Sequence, residues 1–153
     1  MVEIITGRIN DFKTTTMKKR FEKDRKGDGF ISLKQMEKDT VMGYDAMRLS
    51  SGEKRPLVRN EAYFKDDFVV RDRIGPYLFN AATMDWIESE VDRLIEARIS
   101  PIYFDEVGML ELAGRGFSSM LKRMAASDLD LILVIRRDLV DRIVTVFELD
   151  IGN

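Results

Sequence analysis

Three short, mainly apolar runs constrain this chain more than anything else in it. Ile102-Tyr103-Phe104 and Leu131–Ile135 are unbroken, and Val2–Thr6 is interrupted only by Glu3. Continuous apolar runs mark strands buried on both faces, as in a parallel sheet covered by helices. Helical spacing supplies the covers. Lys13 to about Arg25 reads as a polar helix with one apolar i, i+4 pair, Met17 and Phe21. Ala81–Arg98 puts Met84, Ile87, Val91, Leu94 and Ile95 on one stripe, with Asn80 in place to cap it and Pro101 to block its continuation. Gly116–Ser127 and Asp138–Glu148 complete the set, the latter with Asp138 as its cap. The alternation predicts an α/β fold.

The middle of the chain has a different texture. Phe30–Leu33, Val41–Leu49, Leu57–Val58 and Phe68–Val70 are strand-like pieces separated by polar runs and by the turn Ser50-Ser51-Gly52-Glu53, and Tyr77–Phe79 is a further short strand after Gly75-Pro76. The first four read as antiparallel hairpins, an insert of about residues 28–72 within one domain spanning 1–153. At 153 residues the chain is long enough for one real core and too short for two.

The absence of cysteine and histidine narrows the chemistry. It removes disulfides, thiolate and Ser-His-Asp mechanisms and Cys/His zinc sites. A general base must be a carboxylate, lysine, tyrosine or water. A metal must be held by oxygen, which favours Mg²⁺ or Ca²⁺. No apolar run is long enough to span a bilayer and the N-terminus lacks a leader pattern, so the expected location is the cytoplasm, away from membranes. Residues 1–60 carry a net charge of +5 and residues 61–153 a net charge of −7. The basic run Lys18–Lys26 is broken by acidic residues and reads as a solvated helix face rather than a nucleic-acid site.

Gly7-Arg8-Ile9-Asn10-Asp11-Phe12-Lys13-Thr14-Thr15 follows the first strand and leads into the first helix. It is one substitution from the phosphate-binding pattern G-x-x-x-x-G-K-[ST]. In that pattern backbone N–H groups and the helix N-terminus cradle phosphate, the lysine meets the β/γ oxygens and the hydroxyl binds Mg²⁺. Gly7, Lys13 and Thr14 stand where the scheme needs them. Phe12 replaces the second glycine, and Asp11 adds negative charge. About ninety residues later the strand Ile102–Phe104 ends in Asp105-Glu106. There an aspartate can hold Mg²⁺ through its water shell and a glutamate can orient the attacking water. Arg136 and Arg137, after the last apolar strand, could reach a γ-phosphate, but a solvated loop is the reading preferred for them.

These segments resemble a known family. Tyr103-Phe104-Asp105-Glu106-Val107-Gly108-Met109-Leu110-Glu111-Leu112 is similar to the D-E-[IV]-G-x-M-E-L signature of the thermostable, or cancer-related, nucleoside-triphosphatases. Gly29-Phe30-Ile31, the hairpin from Val41-Met42-Gly43-Tyr44-Asp45 to Arg59, Ile74–Phe79 and the helix around Phe117 match further family segments. The resemblance covers nearly all of residues 1–150. It implies a P-loop NTPase-like three-layer fold, with a mostly parallel central sheet, helices on both faces and an antiparallel hairpin insert. It also implies Mg²⁺-dependent hydrolysis of a nucleoside triphosphate (ATP or GTP) to diphosphate and phosphate. Carried over, Gly7, Asn10, Asp11, Phe12, Lys13, Thr14 and Thr15 would hold phosphate. Lys13 and Glu106 would be catalytic, and Thr14 and Asp105 would be the metal-side groups. Phe12, Leu110, and the lack after Leu149 of the family's V-T-x-x-N-R segment are departures. They leave open an alternative, an inactive P-loop fold serving as a binding or scaffold module. No protein partner is indicated.

Overall fold

The computed structural model describes residues 1–6 and 13–152, Lys13 only through its place at the head of a helix. In chain order the elements are β1 (Val2–Ile5), α1 (Lys13–Asp24), β2 (Asp28–Glu37), β3 (Thr40–Arg48), β4 (Lys54–Asn60), β5 (Val70–Ile74), β6 (Tyr77–Asn80), α2 (Ala81–Glu96), β7 (Ile102–Val107), α3 (Met109–Leu112), α4 (Ser118–Ala126), β8 (Leu131–Ile135) and α5 (Val140–Val146). The strands form one sheet in the order β1-β8-β7-β2-β3-β4-β6-β5.

The three apolar runs are the parallel part: β1 pairs with β8, β8 with β7, and β7 with β2, all parallel. From β2 outward every pairing is antiparallel. The hairpins therefore do not sit beside a parallel sheet but continue it, and the sheet is mixed rather than mostly parallel. β2 is the hinge between the two halves. Its start, Asp28–Phe30, runs beside β7, and its remainder projects past the carboxyl end of β7 as a long hairpin with β3.

Alternation along the strands sorts the core into two layers. Phe30, Phe104, Leu131, Leu133 and Ile135 face the stripe of α2 and the apolar sides of α4 and α5. Ile31, Tyr103, Ile132 and Val134 face α1 through Met17 and Phe21, the i, i+4 pair expected from the sequence. The Phe21 ring meets Tyr103 edge-on at 5.8 Å. Anchors of this size are worth about 1.5–3 kcal/mol each, enough to pin an otherwise polar helix to the sheet.

The expected cap of α2 is present. Asn80 Oδ1 accepts the Ala82 N–H at 3.1 Å as the α2 cap. Trp86 is a packing residue, edge-on to Phe30 and beneath the Arg55 guanidinium. Asp138 does not cap the last helix. It lies in a 3₁₀ turn, Arg137–Leu139, and binds Arg136 instead. The fourth hairpin strand is β5, displaced from Phe68–Val70 because its inward position is the buried Asp72 rather than an apolar residue.

Candidate functional site

The parallel strands end where α1 begins, and the candidate site lies at that junction. Thr14, in the first turn of α1, donates its hydroxyl to Asp105 Oδ2 at 2.8 Å across 91 residues of sequence. The Ser32 N–H donates to the same oxygen at 3.1 Å. Thr14 also approaches the Ser32 carbonyl at 3.4 Å. Asp105 is only 3% exposed. So three elements, α1, β2 and β7, meet at one buried carboxylate.

Glu106 is presented differently. Between Phe104 and Val107 the pairing with β8 slips: three steps along β7 match two along β8, from Leu133 to Ile135. Asp105-Glu106 is this bulge. Glu106 has φ +71°, and among the described residues it is the one non-glycine with positive φ inside a strand. A bulge re-aims side chains, and left-handed backbone in a residue with a Cβ costs about 1–3 kcal/mol. The strand bends at its two carboxylates, burying Asp105 towards Thr14 and leaving Glu106 exposed.

The hairpin supplies a wall that the sequence did not announce. Tyr44 of β3 is half-buried against the α2-side core and packs edge-on against Tyr77 at 6.2 Å. Burial, reinforced by the negative charge of Glu106 and then by Tyr77 and Asp105, pushes its phenol up to about 12. Tyr44 therefore stays neutral beside both carboxylates. Only the hairpin register brings it there, opposite Lys34 and Val58.

Behind the bulge is a second group missed from sequence. Glu111, buried at 5% exposure, accepts the Gly108 N–H at 2.8 Å and the Phe117 N–H at 2.9 Å. Its position three residues after Gly108 is the capping-box spacing, but Gly108 lacks the Ser or Thr side chain that marks a helix start in sequence. Burial raises its pKa against the pull of those N–H groups.

Gly7, Asn10, Asp11 and Phe12 lie outside the described residues, as does the side chain of Lys13. Lys13 is the first residue of α1, and Thr15 is exposed in its first turn. β8 delivers Arg136 and Arg137 to the same edge of the sheet, but Arg136 is folded back onto Asp138 through two nitrogens. In the basic run of α1, Arg20 is engaged by Glu3 and Asp24. Among the described residues no helix is long and apolar enough to cross a membrane.

The donor set fits a hard cation. It is all oxygen, a hydroxyl and a carboxylate already within hydrogen-bond distance. Among the described residues no group of three or more His, Cys, Asp or Glu side chains that could hold a metal ion is found.

Comparison with known proteins gives the family and the fold. A family model described as NTPase matches residues 3–151. The nucleoside-triphosphatase THEP1 of Thermotoga maritima is 28% identical over 98% of this chain and 87% of its own length. Its counterpart from Thermotoga sp. strain RQ2 is 27% identical over the same shares. A solved human structure, titled a cancer-related nucleoside triphosphatase, matches with a TM-score of 0.66 over 96% of this chain and 85% of that one. At 21% identity this is a likeness of fold. The chain therefore belongs to the NTPase family and has its P-loop-type α/β fold.

Proposed function

We propose that this protein hydrolyses nucleoside triphosphates to diphosphate and phosphate with Mg²⁺, at the junction of α1 and β7. One observation carries the reading: the 2.8 Å bond between Thr14 and Asp105. A hydroxyl directly after the loop lysine and a strand-end carboxylate are the two groups a phosphate-bound Mg²⁺ requires together. The family relationship supports the triphosphate substrate, and ATP and GTP are the forms to test.

The chain's own groups divide the work. The loop from Gly7 through Asn10, Asp11 and Phe12 to Lys13, Thr14 and Thr15 holds the phosphates at the head of α1. The Lys13 ammonium meets the β/γ oxygens. Thr14 and Asp105 would hold the metal, which when bound would neutralise charge on the phosphates. Glu106, exposed on its bulge, orients a water in line with the γ-phosphorus and takes its proton. The new O–P bond forms as the bond to the β-phosphate oxygen breaks. Tyr44, neutral and half-buried, narrows the solvent around that glutamate. A cytoplasmic location suits this substrate.

Phe12, in the place of the loop's second glycine, favours a second reading, a P-loop fold that binds a partner and does not turn over nucleotide. Calorimetry with Mg-ATP and Mg-GTP, with phosphate release measured beside it, separates the two. Micromolar binding that Lys13→Ala removes, together with phosphate release, supports the first. No heat up to millimolar nucleotide supports the second.

A further inference from the structure

We propose that Glu111 is a positioning residue that holds Glu106 in its working conformation; this rests on Glu106 being the base. Glu106 sits in left-handed backbone at a bulge. Such a conformation persists only where the surroundings over-determine it. Two residues further on, the Gly108 N–H is gripped by Glu111 Oε1, while Oε2 grips the Phe117 N–H at the start of α4. The carboxylate thus ties the exit of the bulge to the packed body of the protein.

The site is built for a carboxylate. A buried charge without a cationic partner is costly, and a neutral residue serves where one acceptor is enough. Two N–H groups arriving at two oxygens need the whole fork. The loop has also closed around it: Gly116 has φ +60°, and a Cβ there would lie 2.2 Å from Glu111 Oε2.

The outer side of that loop is fastened as well. Arg71 of β5 donates to the Gly116 carbonyl at 3.2 Å while paired with Glu88 and Asp85 of α2. Arg115 pairs with the buried Asp72 next to it. A continuous series of contacts therefore runs from the hairpin edge and α2, through Gly116 and Glu111, to the backbone beneath Glu106. Glu111 is buried and its carboxylate is held by backbone N–H groups, so its influence on the reaction passes through that backbone.

The test is Glu111→Gln, which keeps the shape but offers one acceptor, with Glu111→Asp as a second variant that keeps the charge and shortens the reach. Three quantities are read at a temperature where each variant is folded: kcat and KM for Mg-ATP, amide exchange at residues 106–108, and the φ of Glu106 from backbone chemical shifts. Glu111→Gln is expected to lower kcat about 100-fold, the penalty typical of a misplaced catalytic group. KM should stay within about twofold, since phosphate binding lies elsewhere. Exchange at 106–108 should rise and Glu106 should leave the left-handed region, with Glu111→Asp intermediate. Glu106 unmoved, with exchange and kcat as in the wild type, overturns the proposal. So does a loss of activity that merely tracks a loss of folded protein. If wild type and Glu106→Gln turn over equally, the assignment of Glu106 as the base falls, and the conformation of Glu106 still decides the clasp.

Discussion

At the scale of single residues, the bend at Asp105-Glu106 separates two carboxylates that adjoin in sequence. One is buried against a hydroxyl and an N–H, and the other is exposed on strained backbone. If Glu106 is retained for chemistry, removing its Cβ should relieve the strain. Glu106→Gly is expected to raise stability by about 0.5–1 kcal/mol, read from a denaturant midpoint, while abolishing turnover. A Glu106→Gly protein less stable than wild type would mean that the side chain earns its place by packing. Asp105 and Glu106 stood out in the sequence only jointly with the Gly7–Thr15 pattern upstream, since Asp-Glu after a strand is by itself a common loop start. Glu111 and Tyr44 did not stand out. What Glu111 does depends on N–H groups contributed by Gly108 and Phe117, and the place of Tyr44 depends on hairpin register. Neither leaves a mark on hydropathy.

At the scale of elements, the junction between parallel and antiparallel halves is the critical joint. Gly29 lies there at φ +154°, and a Cβ would sit 1.9 Å from the Tyr103 carbonyl on β7. Beside it the buried Asp28 accepts from the Gly29 and Ser50 N–H groups, the Ser50 hydroxyl and Arg48, which continues to Glu90 of α2. Gly29→Ala should destabilise by roughly 2–5 kcal/mol through steric overlap and backbone strain. An unchanged thermal midpoint would show that β2 and β7 can separate without cost. Long elements were readable where period and composition agreed, as in α2 and β8. β5 was misplaced because its inward residue is Asp72, whose burial is made tolerable by Arg115, 43 residues away. The four-residue α3 is too short to show a helical period at all.

At the scale of the whole molecule, one continuous sheet carries the site at its centre. The parallel half brings the carboxylates of β7 to the head of α1, and the antiparallel half adds the Tyr44 wall. Through Arg71 and Gly116 it also adds a brace behind the bulge. The parallel half could be read from three apolar runs and their helices. That the hairpins extend the same sheet could not, because β2 must pair in parallel on one side and antiparallel on the other, and no local pattern encodes two neighbours. The central claim is that this junction hydrolyses nucleoside triphosphates with Glu106 as the base. Its most direct test is phosphate release from Mg-ATP and Mg-GTP by the wild type and by Glu106→Gln, with nucleotide binding measured on both. The account predicts binding by both proteins and a turnover reduced about 10²–10⁴-fold in the variant. Equal release rates, or a wild type that binds nucleotide and releases no phosphate, would contradict it.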